Sequence, residues 1–468
     1  MRATRRIPAA EVLRRLTPQL LAVWWVAMML PAFLSASAAE LDASDLTAAA
    51  DSTASGNIQA QLTVLALAVI GAAHLPVVIE LLRTSSRSRR DLRVAITLLA
   101  AYTAWGLSTL AWSAAPDLTV RRLIQFSLLA IGSLGLGVGY YGSHRDGAVR
   151  FARHLCVAAG ISLAALCLPR LPQLLVALDA STRIDGIGLG TNTAMPIAFG
   201  AIAAAAVLLD PTHRPVRMSQ TAVVLFIAAC GAGLYLQKVR GIAIVVMLVA
   251  AVAVSHHLGR SARRAAVLFV AVGVVFSLLM TDTGALDVGG TVGEQVTRSE
   301  DADTVISLTG RVPLWEALLP YVAERPLEGW GFGGFWTGER FLTIEAVVRW
   351  PAVVAHNGFF DELLATGLIG LVLFLALWFR GIRTSVRLSR ASGLSEDRFI
   401  TYLLVTFLLL NLTQSIMQTW FQYPFYVALT ALFIGASRAQ GGLREWESEA
   451  EPATVRVTAS RLLPPARR

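Results

Sequence analysis

LTGRVPLWEALLPYVAERPLEGWGFGGFW (308–336) and AHNGFFDELLATGLIGLVLFLALW (355–378) bracket the longest polar excursion in an otherwise apolar chain. In the first stretch Leu314, Trp315, Leu318, Leu319 and Val322 recur at three- and four-residue spacing, and Pro313 sits where a first helical turn tolerates it. That pattern predicts a short amphipathic helix beginning near Arg311 and lying on a membrane surface, limited by Pro320 and Pro326. GWGFGGFW (329–336) reads as a flexible turn whose backbone can approach a ligand closely, with rings, Trp330 among them, that can stack on sugars. The second stretch passes from Ala355, His356 and Asn357 into an apolar run long enough to cross a bilayer.

Working outward, composition puts the rest of the chain in the same setting. Of 468 residues 55% are hydrophobic and the mean hydropathy is +0.61, far outside the soluble range. The fold class is therefore an all-α polytopic membrane protein. Windows of about 20 apolar residues mark 12 spans, at 19–34, 61–82, 94–112, 123–141, 151–168, 187–209, 218–236, 242–255, 265–280, 356–379, 399–416 and 421–437. The run at 19–34 ends in small residues like a signal peptide, and is read as an uncleaved first helix. The chain then divides into a basic segment 1–18, nine spans over 19–280, an extracytoplasmic loop 281–355, three spans over 356–437 and a disordered cytoplasmic tail 438–468.

Orientation follows from where basic residues fall, since cytoplasmic loops retain them. Of the 40, 29 lie at the N-terminus and every second connection, against 11 in the connections between, which puts both termini inside and the long loop outside. This topology accounts for the net charge of +9, so the charge does not indicate nucleic-acid binding. The three cysteines, Cys156, Cys167 and Cys230, lie within apolar spans without ligand-like spacing, and the outer acids are dispersed along the loop, so no metal or cofactor site is expected.

The outer face offers few cations. Arg121 and Arg122 stand at a helix mouth, Arg170 and Arg183 flank the next outer connection, and Arg340 and Arg349 lie in the long loop; an isolated boundary arginine is usually a snorkelling anchor. Lys238 and Arg240 are different, because they occupy a short outer turn with Gly241 at the start of a new span, where backbone N–H groups and the helix dipole favour an anion. Arg311 at its helix start, with His356 and Asn357 at the mouth of another span, completes a set on one face. Histidine there can take a proton from an attacking hydroxyl, while two guanidinium groups hold a diphosphate. Asp361 and Glu362 either orient the His356 ring or serve as solvated first-turn acids.

These stretches, with LSTLAWSAAPDLTV (107–120), RIDGIGLGTNTAMPIAFG (183–200) and VRGIAIVV (239–246), resemble the O-antigen ligase and O-antigen polymerase superfamily over most of the chain. The resemblance implies a GT-C-like fold and a metal-independent transfer of glycan from an undecaprenyl-diphosphate carrier to an acceptor hydroxyl on a glycan, lipid or protein, at the outer side of the plasma membrane. It places the family's catalytic residues on His356, Arg311 and Arg240; Lys238, Arg183, Asn357, Arg122 and Trp330 are the substrate-binding candidates. The competing class is a transporter or flippase of lipid-linked saccharides. Such a protein would carry ionisable residues near the bilayer midplane, whereas here they cluster at span ends, with His74 and Glu80 the nearest exceptions.

Overall fold

The computed structural model describes residues 90–141, 147–167, 190–215, 218–236, 240–257, 311–349 and 352–417, and every regular element among them is a helix. In chain order these are α1 (Arg90–Ser108), which runs into a 3-10 turn (Thr109–Ala111), α2 (Pro116–Tyr141), α3 (Gly147–Cys167), α4 (Gly190–Ala203), which continues as a π turn (Ala204–Leu208), α5 (Gln220–Leu236), α6 (Arg240–Ser255), α7 (Arg311–Glu324), α8 (Gly338–Val348), α9 (Gly358–Ser392) and α10 (Ser395–Asn411). Eight of the expected spans fall on α1 to α6, α9 and α10. The spans at 19–34, 61–82, 265–280 and 421–437, the two terminal segments, Lys238 and Arg183 lie outside the described residues.

Two of the described helices, Arg93–Ala111 and Gly358–Ala391, are long and apolar enough to cross a membrane; Ala194–Leu208, Gln220–Leu234 and Gly241–Ser255 are shorter apolar helices. α4 is apolar on all sides and sits at the centre, packed by α3, α5, α6 and α10, as an all-round hydrophobic helix must be. α9 lies between α1 and α10, and stacks Trp378 on Phe407 at 4.1 Å. It outruns the expected end of its span because RGIRTSVRLSRAS continues the helix: hydropathy reports the solvent boundary, and backbone hydrogen bonding does not stop there.

The segment between α6 and α9 is, over its described residues, a folded layer with its own core. Leu314, Leu318, Trp330, Phe335, Ile344, Ala352, Ala355 and Leu364 pack together, so α7 and α8 roof the start of α9. α7 begins at Arg311 as the spacing predicts and buries Leu314 and Leu318. Pro320 does not end it: it is exposed, so the carbonyl it leaves without an N–H partner, that of exposed Glu316, is open to solvent.

The glycine-rich turn, expected to be flexible, is instead inserted into a break in α9. At Gly367 the backbone leaves the helix with φ 66° and ψ −169°. In an unbroken helix the N–H groups of Leu368 and Ile369 would reach the carbonyls of Leu364 and Ala365. They donate instead to Pro326 (2.8 Å) and Leu327 (3.3 Å), and the released carbonyls accept from Trp330 (2.7 Å) and Gly331 (3.1 Å). Every bond lost at the break is remade with the loop. The contact is backbone on backbone: a Cβ at Gly367 would lie 2.2 Å from the Leu327 oxygen, and one at Gly329 would lie 2.7 Å from the Gly367 nitrogen.

The α1–α2 corner holds the other side of the turn. Trp105 Nε1 donates to the Thr366 carbonyl (2.8 Å) and Ala114 N to the Trp330 carbonyl, while Phe332 N donates to Thr109 Oγ1 (3.0 Å). Both Gly367→Ala and Gly329→Ala combine a left-handed backbone with a clash against main chain, and should each destabilise the protein by roughly 3 kcal/mol or more. Gly393→Ala, left-handed at a helix end with open space around it, should cost only about 1 kcal/mol. Unfolding of the three variants in detergent, followed by circular dichroism, checks the ranking.

Candidate functional site

The turn 355–358 is held at nearly every residue. Ala355 N donates to both oxygens of Asp361 (3.2 and 3.1 Å), and the Ala355 carbonyl accepts from Trp315 Nε1 (2.9 Å). Asn357 is the N-cap of α9, its Oδ1 accepting from Phe359 N (3.0 Å) and Phe360 N (3.4 Å). Gly358 N donates to the Gln414 carbonyl (3.1 Å). Between these fixed points His356 adopts φ 51°, a left-handed conformation uncommon for a residue with a side chain though more frequent for histidine than for most. His356 therefore precedes the helix rather than opening it, and Asn357 serves the backbone as a cap.

Arg311 reaches the same place from α7. Trp315, one turn further along that helix, stacks on Phe360 (5.7 Å between centroids, 9° between planes) as well as bonding Ala355, which sets the start of α7 over the start of α9. The electrostatics carry the contact: burial, and then the Arg311 charge, push the His356 imidazole down to about 4. His356 is therefore a neutral proton acceptor at physiological pH.

Arg240 is the first residue of α6, as the sequence predicts. Its neighbour Gly241 lies against the turn after α10, where a Cβ would be 2.7 Å from Thr413 Oγ1. The next residue in that turn, Gln414, is the one that receives Gly358 N. One turn of chain thus bridges the start of α6 and the start of α9. The starts of α6 and α9 are thus neighbours at one end of the bundle, α7 begins over the start of α9, and each start is the positive end of its helix dipole. Such an end attracts an anion.

The remaining candidates lie apart. Arg122 bonds Gln125 (3.4 Å) and packs beneath Gly333, whose Cβ would fall 2.7 Å from Arg122 Cγ, so it borders the inserted turn. Trp330 is not the exposed platform that aromatic content suggested. It is 6% exposed, its indole donates to the Tyr321 carbonyl (3.0 Å), and the guanidinium carbons of Arg325 and Arg340 sit 4.2 and 4.0 Å from its ring centroid. A cation on the ring is a better partner than water, and it leaves the face occupied.

Neither acid of the first turn is solvated. Glu362 is 0% exposed and accepts from Tyr102 Oη (2.8 Å) and Thr366 Oγ1, tying α9 to α1. Asp361 is buried and accepts from Trp336 Nε1 (2.8 Å) in addition to Ala355. Sequence spacing brought both acids near His356 and missed what they hold, because their partners are up to 260 residues away. Trp315 was legible only as part of the helix pattern, not as the donor to Ala355, and the 413–414 turn carried no local signal.

Because the folded pKa of His356 lies below the unfolded value of 6.5, the stability it contributes is present above pH 6.5 and is lost as pH falls toward 4. Carbon-13 NMR of histidine-labelled protein in micelles should show its resonance titrating near 4. In Arg311→Gln the value should rise without reaching 6.5, since burial is the larger cause.

A family model described as O-Antigen ligase matches residues 221–375, which takes in α5, α6, the outer layer and the break in α9. The resemblance carried by those motifs is borne out over that stretch. No curated protein matches the chain.

Proposed function

With an O-antigen ligase match over residues 221–375 as premise, we propose that this protein is a membrane glycosyltransferase that moves a glycan from an undecaprenyl-diphosphate carrier to an acceptor hydroxyl at the outer face of the plasma membrane. The observation that carries this is the neutral His356 imidazole beside the Arg311 charge, at the meeting of three helix N-termini. A base and an anion site side by side are what such a transfer needs.

In this mechanism the lipid diphosphate enters from the bilayer and its phosphates are held by Arg311 and Arg240, with the positive dipole ends of α6, α7 and α9 favouring the anion. His356 takes the proton of the acceptor hydroxyl as the oxygen attacks the anomeric carbon. The bond from that carbon to the diphosphate oxygen breaks, the electron pair leaves with the diphosphate, and the configuration inverts. Charge on the leaving group grows through the transition state, so this is where fixed cations lower the barrier most. Guanidinium groups and helix termini meet that charge here, without a metal ion in the step. Lys238 and Arg183 are further candidates to bind the substrate, and Arg122 borders the inserted turn. The scaffold is a GT-C-like set of twelve spans with both termini cytoplasmic.

Ligase and polymerase differ only in whether the acceptor is a foreign molecule or a second lipid-linked glycan. Surface polysaccharide from a deletion strain separates them on a gel: single repeats left on the acceptor indicate a lost polymerase, and a bare acceptor a lost ligase.

Purified His356→Ala should lose roughly 100-fold or more in kcat, the usual scale for a general base, and Arg311→Ala and Arg240→Ala a comparable factor. Parent-rate transfer by any of the three, measured with lipid-linked donor and acceptor, would remove that residue from the mechanism. The pH profile gives an independent check. Since kcat/KM reports the free enzyme, it should stay level from pH 8 down to about 5.5, where an ordinary histidine would already be mostly protonated. The bound diphosphate offsets the Arg311 charge, so the acid limb of kcat should lie at higher pH than that of kcat/KM.

A further inference from the structure

Asp361 is buried in the first turn of α9, yet its carboxylate points back past the helix start. Both oxygens receive the N–H of Ala355, and Oδ1 also receives the indole N–H of Trp336 at 2.8 Å. Ala355 is fully buried and directly precedes His356. The carboxylate therefore joins three stretches: the end of the inserted glycine turn at Trp336, the peptide that leads into His356, and the helix that follows it. Three hydrogen bonds thus converge on one buried carboxyl, and they tie the backbone before His356 to the inserted turn.

The left-handed backbone of His356 needs such a restraint. A non-glycine residue at φ 51° is disfavoured relative to an extended or helical one, and it persists only where its surroundings determine it. Trp315 holds the Ala355 carbonyl and Asn357 caps the helix, but only Asp361 holds the Ala355 N–H. Without that bond the Val354–Ala355 peptide loses its restraint, and the turn that carries His356 is held on this side only by Trp315 at the Ala355 carbonyl.

We propose that Asp361, with Trp336 as its second partner, is a positioning residue that orients the general base by clamping the Ala355 peptide, and so couples the seating of the glycine-rich turn to the readiness of His356. This rests on the assignment of His356 as the base. Asp361 touches neither donor nor acceptor, and its effect is confined to the alignment of proton transfer. A misplacement of about 1 Å can cost on the order of 100-fold in rate, so a large change in kcat with little change in donor binding is the expected signature.

The test uses the full-length protein in detergent with lipid-linked donor and acceptor. Asp361→Asn keeps the shape and one acceptor oxygen but presents an amide to Trp336 or Ala355; it should lower kcat at least tenfold with the donor KM within about twofold of the parent. Trp336→Phe removes only the indole donor and should give a smaller loss of kcat, again at constant KM. In the His356→Ala background, Asp361→Asn should add nothing further, because positioning an absent base has no consequence. Parent kcat in Asp361→Asn overturns the proposal, as does an equal loss with and without His356, which marks a merely structural acid. If Asp361→Asn does not fold, Trp336→Phe decides alone, and an unchanged kcat there overturns it. Parent-rate transfer by His356→Ala is a separate result, which defeats the base assignment itself.

Discussion

The exchange of hydrogen bonds between α9 and the loop around Gly329 holds the outer layer onto the membrane helices. A helix broken in an apolar setting exposes two N–H and two C=O groups, each costing several kcal/mol if left bare. Here the peptides of 326–331 supply four matching groups, so the break is satisfied and the loop is fixed in the same step. Both glycines at the crossing are left-handed and touch main chain, which allows no side chain at either place. From this crossing the short piece 358–366 of α9 acquires a direction of its own, independent of the long piece that follows.

That freedom matters because it is the short piece that carries the site. Its N-terminus is aimed at the starts of α6 and α7, and the Thr413–Gln414 turn closes the space between them. Three positive helix ends in one place repel one another, and Arg311 and Arg240 stand at two of those ends. Burial first, and then the Arg311 charge, keep His356 neutral.

Aromatic residues serve this layer as hydrogen-bond donors as much as apolar bulk. The indoles of Trp105, Trp315, Trp330 and Trp336 donate to Thr366, Ala355, Tyr321 and Asp361 respectively. Each spans from one segment to another and satisfies a group that burial would otherwise leave bare. The richness of GWGFGGFW in aromatics suggested a sugar platform, and in the folded protein it builds a core instead.

Hydropathy is a local property, so the positions of eight described helices, the helix at Arg311 and the start of α6 at Arg240 were legible from sequence alone. So were the family motifs, because they depend on residue types at fixed spacing within one stretch. The break in α9, the burial of Asp361 and Glu362, the occupied face of Trp330 and the depressed basicity of His356 were not. Each is created by a partner distant along the chain, such as Tyr102 for Glu362 or Leu327 for Ile369, and no pattern within a single segment encodes which distant group will arrive. Residue types and hydropathy come from the sequence; the burial of His356 and the restraint on its turn come from contacts that exist only once the helices have packed.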